Sequence, residues 1–193
     1  MTILTLAGSP SQRSRSSALL RHAARRLESL GLKTSEIGLH DIPAEDLIEG
    51  RYTGAAASAL RTRVHAASAV LIATPVYKAS FAGGLKAVLD LLDEKALIGK
   101  VVLPLATGGS PAHLLALEYS LKPVLSALGA RHILAGVYAT DKEVSFDDKG
   151  QARIEDAVRA RLEDAVERLA EHVGRPTPAV DLGQLALQAR FSV

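Results

Sequence analysis

Short apolar runs alternate with longer amphipathic segments along the 193-residue chain. Apolar runs of this length predict strands, and segments whose apolar residues recur every three or four positions predict helices. The predicted strands are 2–6, 33–37, 69–73, 101–105 and 131–138. The predicted helices are 16–30, 54–67, 83–92, 110–128 and 154–173. Because strands and helices alternate, we expect βαβ units that build a parallel sheet with helices on both faces.

The length of the chain is that of one domain with an extension, at roughly 150 residues per domain. The five strands and five helices fill residues 1–173, which we predict to be the domain. Residues 174–193 open on Gly174 and contain Pro176 and Pro178, so a loosely packed tail is expected there. In an open parallel sheet, ligands bind beyond the carboxyl ends of the strands. The loops after the first, third and fourth strands are therefore the expected functional region.

The amino-acid composition excludes several classes of catalytic and binding site. The chain has no cysteine, which excludes thiol nucleophiles, CxxC redox pairs and cysteine-bound clusters or zinc. Seven aromatic residues are too few for a platform that stacks single-stranded nucleic acid. No apolar run approaches the ~18 residues of a membrane span, and the first residues lack a signal-peptide pattern, so a cytoplasmic location is the default expectation. Any redox chemistry must come from a bound cofactor.

Charge is unevenly distributed, although the net charge is only +2. Residues 1–39 hold six basic and two acidic side chains, a net charge of +4. Residues 141–171 hold ten acidic and six basic side chains, a net charge of −4. A positive first quarter suits a phosphate-bearing ligand, and a solvated basic helix face is the alternative explanation.

The loop after the first strand has the composition of an anion site. Residues 7–17 read Ala-Gly-Ser-Pro-Ser-Gln-Arg-Ser-Arg-Ser-Ser and lead into a helix. Hydroxyls, two arginines, backbone N–H groups and the positive end of the helix dipole meet there, which favours a phosphate monoester. Neither GxGxxG nor GxxxxGK[ST] is present, so a dinucleotide fingerprint and an NTP-hydrolysing loop are excluded. The alternative is that Ser16 or Ser17 is only a helix cap.

The loop after the third strand contains two of the seven aromatics. Pro75 makes the chain turn, and Tyr77 gives a flat surface for a planar ligand at the rim. Gly83 and Gly84 let the next helix begin with its backbone close to another group. The alternative, equally open from this loop alone, is that Tyr77 and Phe81 only cover a hydrophobic edge.

The segment after the fourth strand combines a glycine pair with an irregular helix. Gly108 and Gly109 permit close backbone approach to a ligand. Pro123 lies inside the predicted helix, where it cannot donate to the carbonyl of Tyr119. Because this hydrogen bond is missing, we expect a kink or a one-residue π-bulge in the helix. Leucine-rich positions in the same segment form a seam, which suits packing between subunits or against the sheet. For His113 a hydrogen bond at the helix start is the favoured role over ligand contact.

Together the three loops resemble those of the flavodoxin-like NAD(P)H-dependent FMN reductases, and specifically the reductase components of two-component alkanesulfonate monooxygenase systems. The shared motifs are LAGSP at 6–10, RSS at 15–17, ATPVYKA at 73–79, KVVLPLATGG at 100–109, AHLLA at 112–116 and the segment 119–128. The resemblance covers residues 2–173. It implies an α/β flavodoxin-like three-layer sandwich, with a five-stranded parallel sheet in the order 2-1-3-4-5.

The resemblance also implies which residues bind FMN. Those that hold its phosphate are Ser9, Arg15, Ser16 and Ser17. Those that border the isoalloxazine are Pro75, Val76, Tyr77 and Lys78, with Thr107, Gly108, Gly109 and Ser110 in the third loop. Tyr119 matches a tyrosine that this family associates with a π-helix at a tetramer interface, and Pro123 points to the same turn. No metal is expected.

The implied chemistry is hydride transfer from NADPH or NADH to FMN, with NADPH favoured. The two cofactors supply the reactivity and the protein orients them, so no catalytic side chain is expected. Reduced FMN would pass to a partner monooxygenase that cleaves alkanesulfonates. A homo-oligomer, dimer or tetramer, is implied, without nucleic-acid or membrane partners.

Two alternatives remain open at this point. The first is an FMN-retaining quinone, azo-dye or metal-ion reductase on the same fold. The second is a non-enzymatic electron carrier of the flavodoxin type. Such carriers are strongly acidic, so the net charge of +2 speaks against the second.

Overall fold

The apolar runs form a central sheet that is covered on both faces. The computed structural model describes residues 1–174. The strands are β1 (Thr2–Ala7), β2 (Lys33–Gly38), β3 (Ala69–Tyr77), β4 (Ser80–Phe81), β5 (Val101–Gly108), β6 (His132–Ile133), β7 (Val137–Thr140), β8 (Val144–Phe146) and β9 (Ala152–Ile154). The helices are α1 (Arg15–Ser29), α2 (Ala44–Glu49), α3 (Ala55–Ala66), α4 (Gly83–Asp90), α5 (Lys122–Ala127) and α6 (Asp156–Gly174).

The main strands run parallel in the order β2-β1-β3-β5, with β6 and β7 both on the far side of β5. This is the flavodoxin-like order expected from the sequence. The register aligns Ala7 with Ala73, and Pro75 with Thr107. The carboxyl ends of β1, β3 and β5 therefore lie at one edge of the sheet, and their loops leave from the same side of the molecule.

The predicted fifth strand is interrupted. β6 pairs with Val101 and Val102 at the start of β5, whereas β7 pairs from Leu105 onwards. The gap lies opposite Pro104, which has no N–H to donate to a neighbouring strand. The chain also approaches β5 closely there, because a Cβ on Gly136 would lie 2.8 Å from the carbonyl oxygen of Pro104. A single proline thus divides one edge strand into two short ones.

Two hydrophobic cores flank the sheet. On one face, α1 and α6 pack side by side through buried leucines such as Leu19 and Leu162. On the other face, α3 and α4 pack through residues such as Leu60 and Leu85, together with the segment that ends in α5.

The predicted helix at 110–128 is a series of three different helical segments. A 3-10 turn (Pro111–Leu114) is followed by a π-helix (Leu117–Leu121) and then by α5. Of the predicted seam, Leu117 and Leu121 are buried in the core, and Val124 and Leu128 pack partly against it, as one of the two predicted arrangements requires. Leu114, the first residue of the seam, is 43% exposed.

The opposite charges of the two chain regions meet where α1 packs on α6. His22 Nε2 lies 2.9 Å from Glu163 Oε1, and Arg26 pairs with Glu167. Part of the basic first quarter is therefore neutralised inside the chain by the acidic segment 141–171.

Sequence patterns missed several short elements: α2, β4 and the antiparallel hairpin of β8 and β9. The last helix begins at Asp156, two residues later than predicted, because Ile154 completes β9. Gly174, the first residue of the predicted tail 174–193, ends α6, and residues 175–193 lie outside the described residues. The division into domain and tail stays a prediction. No helix within residues 1–174 is long and apolar enough to cross a membrane.

Candidate functional site

The loops after β1, β3 and β5 enclose an open cleft of about 290 Å³. Its lining residues are Ser9, Ser11, Arg13, Ser14, Arg15, Pro75, Val76, Tyr77, Thr107, Gly108, Gly109 and Asp141. Eight of the twelve predicted FMN-binding residues are among them. A larger cavity of about 830 Å³ lies between β9 and the start of α6, and none of the predicted residues lines it.

Hydrogen bonds within the first loop organise its hydroxyl groups. Ser14 is the N-cap of α1, and its Oγ accepts from the Ser17 N–H at 3.4 Å. Ser9 Oγ accepts from the Ser11 N–H at 3.1 Å, which fixes a tight turn before the helix. The first turn of α1 contains no acidic residue, and the first turn of a helix has N–H groups without helical partners. This end of the cleft is therefore a donor site for an anion.

The two arginines of the first loop reach across to the hairpin of β8 and β9. Arg15 Nε donates to the carbonyl oxygen of Val144 at 2.8 Å. Arg13 lies over the ring of Phe146, 4.8 Å from its centroid, and donates to a backbone carbonyl of the same hairpin. Both guanidinium groups line the cleft while they hold this hairpin against the loop.

Ser16 and Ser17 are placed differently from Ser9 and Arg15. Ser16 is fully buried, and its Oγ lies 2.9 Å from that of Ser14. Ser17 lines a neighbouring cavity of about 240 Å³, which Ser9 also borders. Neither side chain lines the cleft, so any contact of these residues with a ligand in it would involve their backbone.

The second loop is a tight hairpin between β3 and β4. Lys78 and Ala79 form its two-residue turn with φ of 51° and 62°, a left-handed backbone that non-glycine residues rarely adopt. Thr74 Oγ1 stabilises the base of the hairpin by accepting from the Ala82 N–H at 3.0 Å. Tyr77 is half exposed at the rim of the cleft, whereas Lys78 lies in the exposed turn and outside the cleft lining.

In the third loop, position 108 is glycine, and other side chains pack directly against its backbone. A Cβ on Gly108 would lie 2.9 Å from Tyr138 Oη and 3.2 Å from the Cβ of Val76. Tyr138 in turn donates to the carbonyl oxygen of Ser110 at 2.6 Å. Burial is the main reason that the pKa of Tyr138 is raised. Ser110 caps the 3-10 turn and lies just outside the cleft lining.

The π-helix ends two residues before Pro123, in the segment where the sequence predicts an irregular helix. It spans Leu117–Leu121 and includes Tyr119, whose side chain is 78% exposed. Leu115 is also exposed nearby on the surface, at 56%. The assignment of this surface to a subunit interface stays a prediction.

Four lining residues were not predicted as ligands: Ser11, Arg13, Ser14 and Asp141. The first three belong to the same loop as Ser9 and Arg15, so proximity in sequence could have found them. Asp141 directly follows β7, and the sequence pattern, which predicts that the fifth strand ends at Tyr138, gives no sign that this residue reaches the cleft. Serine hydroxyls, arginine donors and a helix N-terminus share the cleft with Tyr77, and together they suit a phosphate joined to a planar ring.

Comparisons with known proteins identify relatives of this chain. Residues 1–145 match the family described as NADPH-dependent FMN reductase. The chain is 51% identical over 144 residues to an FMN reductase (NADPH) of Escherichia coli K12, covering 75% of each chain. It is 42% identical to an FMN reductase (NADPH) of Pseudomonas putida KT2440 over the full length of both. A solved NADH:FMN oxidoreductase (EMOB, apo form) is 34% identical with a TM-score of 0.78, covering 93% of this chain and 98% of that one.

Proposed function

Because the chain belongs to the NADPH-dependent FMN reductase family and is an NAD(P)H-dependent FMN reductase, we propose that its cleft beyond β1, β3 and β5 is where FMN binds. One observation carries this proposal. The cleft joins an anion-donor loop to a half-exposed aromatic side chain and a glycine-lined wall in a single space. FMN has the matching parts, a phosphate at one end and a planar ring at the other.

The phosphate would be held by Arg15, Ser9 and the first-turn amides at Ser16 and Ser17. The Ser17 N–H would exchange its long 3.4 Å bond to Ser14 Oγ for a bond to the phosphate. Arg15 and the helix N-terminus supply positive charge, and Ser9 Oγ is already oriented by its own hydrogen bond. Arg13 adds a second cation at the same end of the cleft. A basic, hydroxyl-lined end of this kind would fix the position of the ligand along the cleft.

The ring would lie against the second and third loops. These loops line the cleft side by side, because Pro75 pairs with Thr107 on the neighbouring strand. Lys78 and Ser110 flank the lining residues from outside. FMN supplies the redox chemistry when bound, by accepting hydride from NAD(P)H. The role of the protein is to orient the ring and leave one face accessible, which requires no side-chain acid or base.

We further propose that reduced FMN leaves the cleft to supply a partner monooxygenase, of the kind that desulfonates alkanesulfonates. The resemblance of the loop motifs supports this role, and so does the openness of the site. Arg15 and Asp141 at the cleft are about 41% and 47% exposed, so water competes for the groups that would hold the flavin. A homotetramer that uses the surface around Tyr119 belongs to the same proposal. The cytoplasmic location stays a prediction.

The decisive experiment follows NADPH and NADH oxidation with and without added FMN, then passes the protein through gel filtration after turnover. We expect oxidation only with added FMN, and a colourless protein after gel filtration. With an alkanesulfonate monooxygenase present, sulfite should be released in proportion to reductase. Flavin retained through turnover, together with faster reduction of a quinone or azo dye than of free FMN, would favour the FMN-retaining reductase instead. Retained flavin without nucleotide oxidation would favour the electron carrier.

A further inference from the structure

Asp141 is the one carboxylate among the described residues that line the cleft. Its N–H donates to the carbonyl oxygen of Gly108 at 3.0 Å, which fixes the backbone beside the third loop. Its Oδ1 lies 3.7 Å from Arg15 Nη1, and its Oδ2 lies 3.9 Å from where a Cβ on Gly109 would be. The carboxylate therefore stands between the anion-donor end of the cleft and its glycine-lined wall.

The orientation of the Arg15 side chain does not depend on Asp141. The short bond of that guanidinium is from Nε to the carbonyl oxygen of Val144, at 2.8 Å. The contact with Asp141 is long, and both side chains are nearly half exposed, so as an ion pair it contributes little to folding. Removal of the carboxylate should leave Arg15 in place and leave its charge uncompensated.

We propose that Asp141 is a specificity-determining residue that weakens the hold of the cleft on the FMN phosphate by competing for Arg15. The proposal rests on the assignment of the cleft as the FMN site. A carboxylate this close to Arg15 both neutralises the cation and repels an arriving phosphate dianion. The site is thereby poised to release a flavin that carries a phosphate, without any change in the side chains that contact the ring.

The same charge argument gives the size of the effect. At the spacing of neighbouring side chains in a solvated cleft, one unit charge acting on a dianion changes a dissociation constant by about three- to tenfold. The effect should shrink as salt is added, because the groups are exposed to solvent. Riboflavin has the same ring and ribityl chain but no phosphate, so its binding should not respond.

The test compares Asp141→Asn with wild type by flavin fluorescence quenching, for FMN and riboflavin, at about 0.05 M and 0.5 M salt. We expect the FMN dissociation constant of Asp141→Asn to fall about three- to tenfold at low salt, and less at high salt. The riboflavin value should stay within the error of the wild type. Asp141→Glu, which keeps the charge, should bind FMN as the wild type does.

Asp148→Asn is the matched control, since it removes the same charge from an exposed position on the β8–β9 turn that does not line the cleft. Equal tightening by Asp148→Asn would overturn the proposal. An unchanged or raised FMN dissociation constant in Asp141→Asn would also overturn it, as would an equal change for riboflavin. Failure of the proposed site is a separate outcome: wild-type protein would then bind FMN and riboflavin with equal affinity at both salt concentrations.

Discussion

Arg15, the first residue of α1, donates from Nε to the carbonyl oxygen of Val144, the first residue of β8, at 2.8 Å. This bond joins the anion-donor loop to a hairpin that lies 129 positions later in the chain. It fixes one edge of the guanidinium and leaves the other nitrogens at the cleft. The residue best suited to bind a phosphate is thus held ready by a segment whose sequence carries no obvious sign of a site.

Glu143 anchors the base of this hairpin and makes its stability sensitive to acid. The Thr140 N–H donates to its carboxylate at 2.7 Å, the Thr140 hydroxyl does the same, and Arg161 lies nearby; these contacts lower the pKa of Glu143. A lowered pKa in the folded state stabilises the fold above the ordinary glutamate pKa, and this is lost as pH falls through the folded value.

Glu143→Gln should therefore be less stable than wild type by about 1–2 kcal/mol near neutral pH. The difference should shrink as the pH falls below the ordinary glutamate pKa of about 4.3. Urea unfolding at several pH values measures it, with Glu155→Gln, an exposed carboxylate beside the same hairpin, as the control. A difference that stays constant down to the acid limit of folding would show that the Thr140 contacts do not stabilise the charged form.

Gly108 is predicted to tolerate no side chain. Its added Cβ would meet Tyr138 Oη at 2.9 Å and Val76 Cβ at 3.2 Å, so Gly108→Ala should lower the free energy of unfolding by about 1–3 kcal/mol. Gly109→Ala is the matched control for stability, because its Cβ would meet Asp141 Oδ2 at an ordinary 3.9 Å. Equal denaturation midpoints for the two variants would contradict the close packing described here.

Deletion of Tyr119 is predicted to convert the π-helix into a regular α-helix. The π-helix spans five residues directly before α5, and removal of one residue restores the spacing of the helical hydrogen bonds. We expect an altered oligomeric state by analytical ultracentrifugation, or altered flavin release in stopped-flow experiments. Tyr119→Ala keeps the chain length and separates the role of the ring from that of the extra residue. If the deletion variant keeps both the oligomeric state and the rate of flavin release of the wild type, the π-helix has no role in either.

The layered fold could be predicted from sequence because its signals are local and repeated. Continuous apolar runs such as 101–103 specify strands buried on both faces, and their alternation with helices gives the parallel sheet. The break in the fifth strand could not be seen in that strand itself. It depends on Pro104 of the neighbouring strand, which becomes relevant only once the pairing is known.

The candidate site was predictable where its residues are close in sequence. Ser9 and Arg15 share one short loop, and Pro75, Val76 and Tyr77 share another. Asp141 and the docking of Arg15 on Val144 were not predictable, because they arise from contacts between distant segments. Pro123 shows the intermediate case: one residue indicated that the helix must be irregular, and the structure shows which irregularity it is.

The central claim is that the cleft holds FMN by its phosphate, with Arg15 as the principal cation. Its most direct test is the dissociation constant of Arg15→Ala for FMN and for riboflavin, with Arg25→Ala on the exposed side of α1 as the control. Loss of a charge-assisted hydrogen bond predicts an FMN dissociation constant raised about 10- to 100-fold. The account predicts no comparable change for riboflavin or for the control. An equal rise for both flavins, or no rise for FMN, would contradict it.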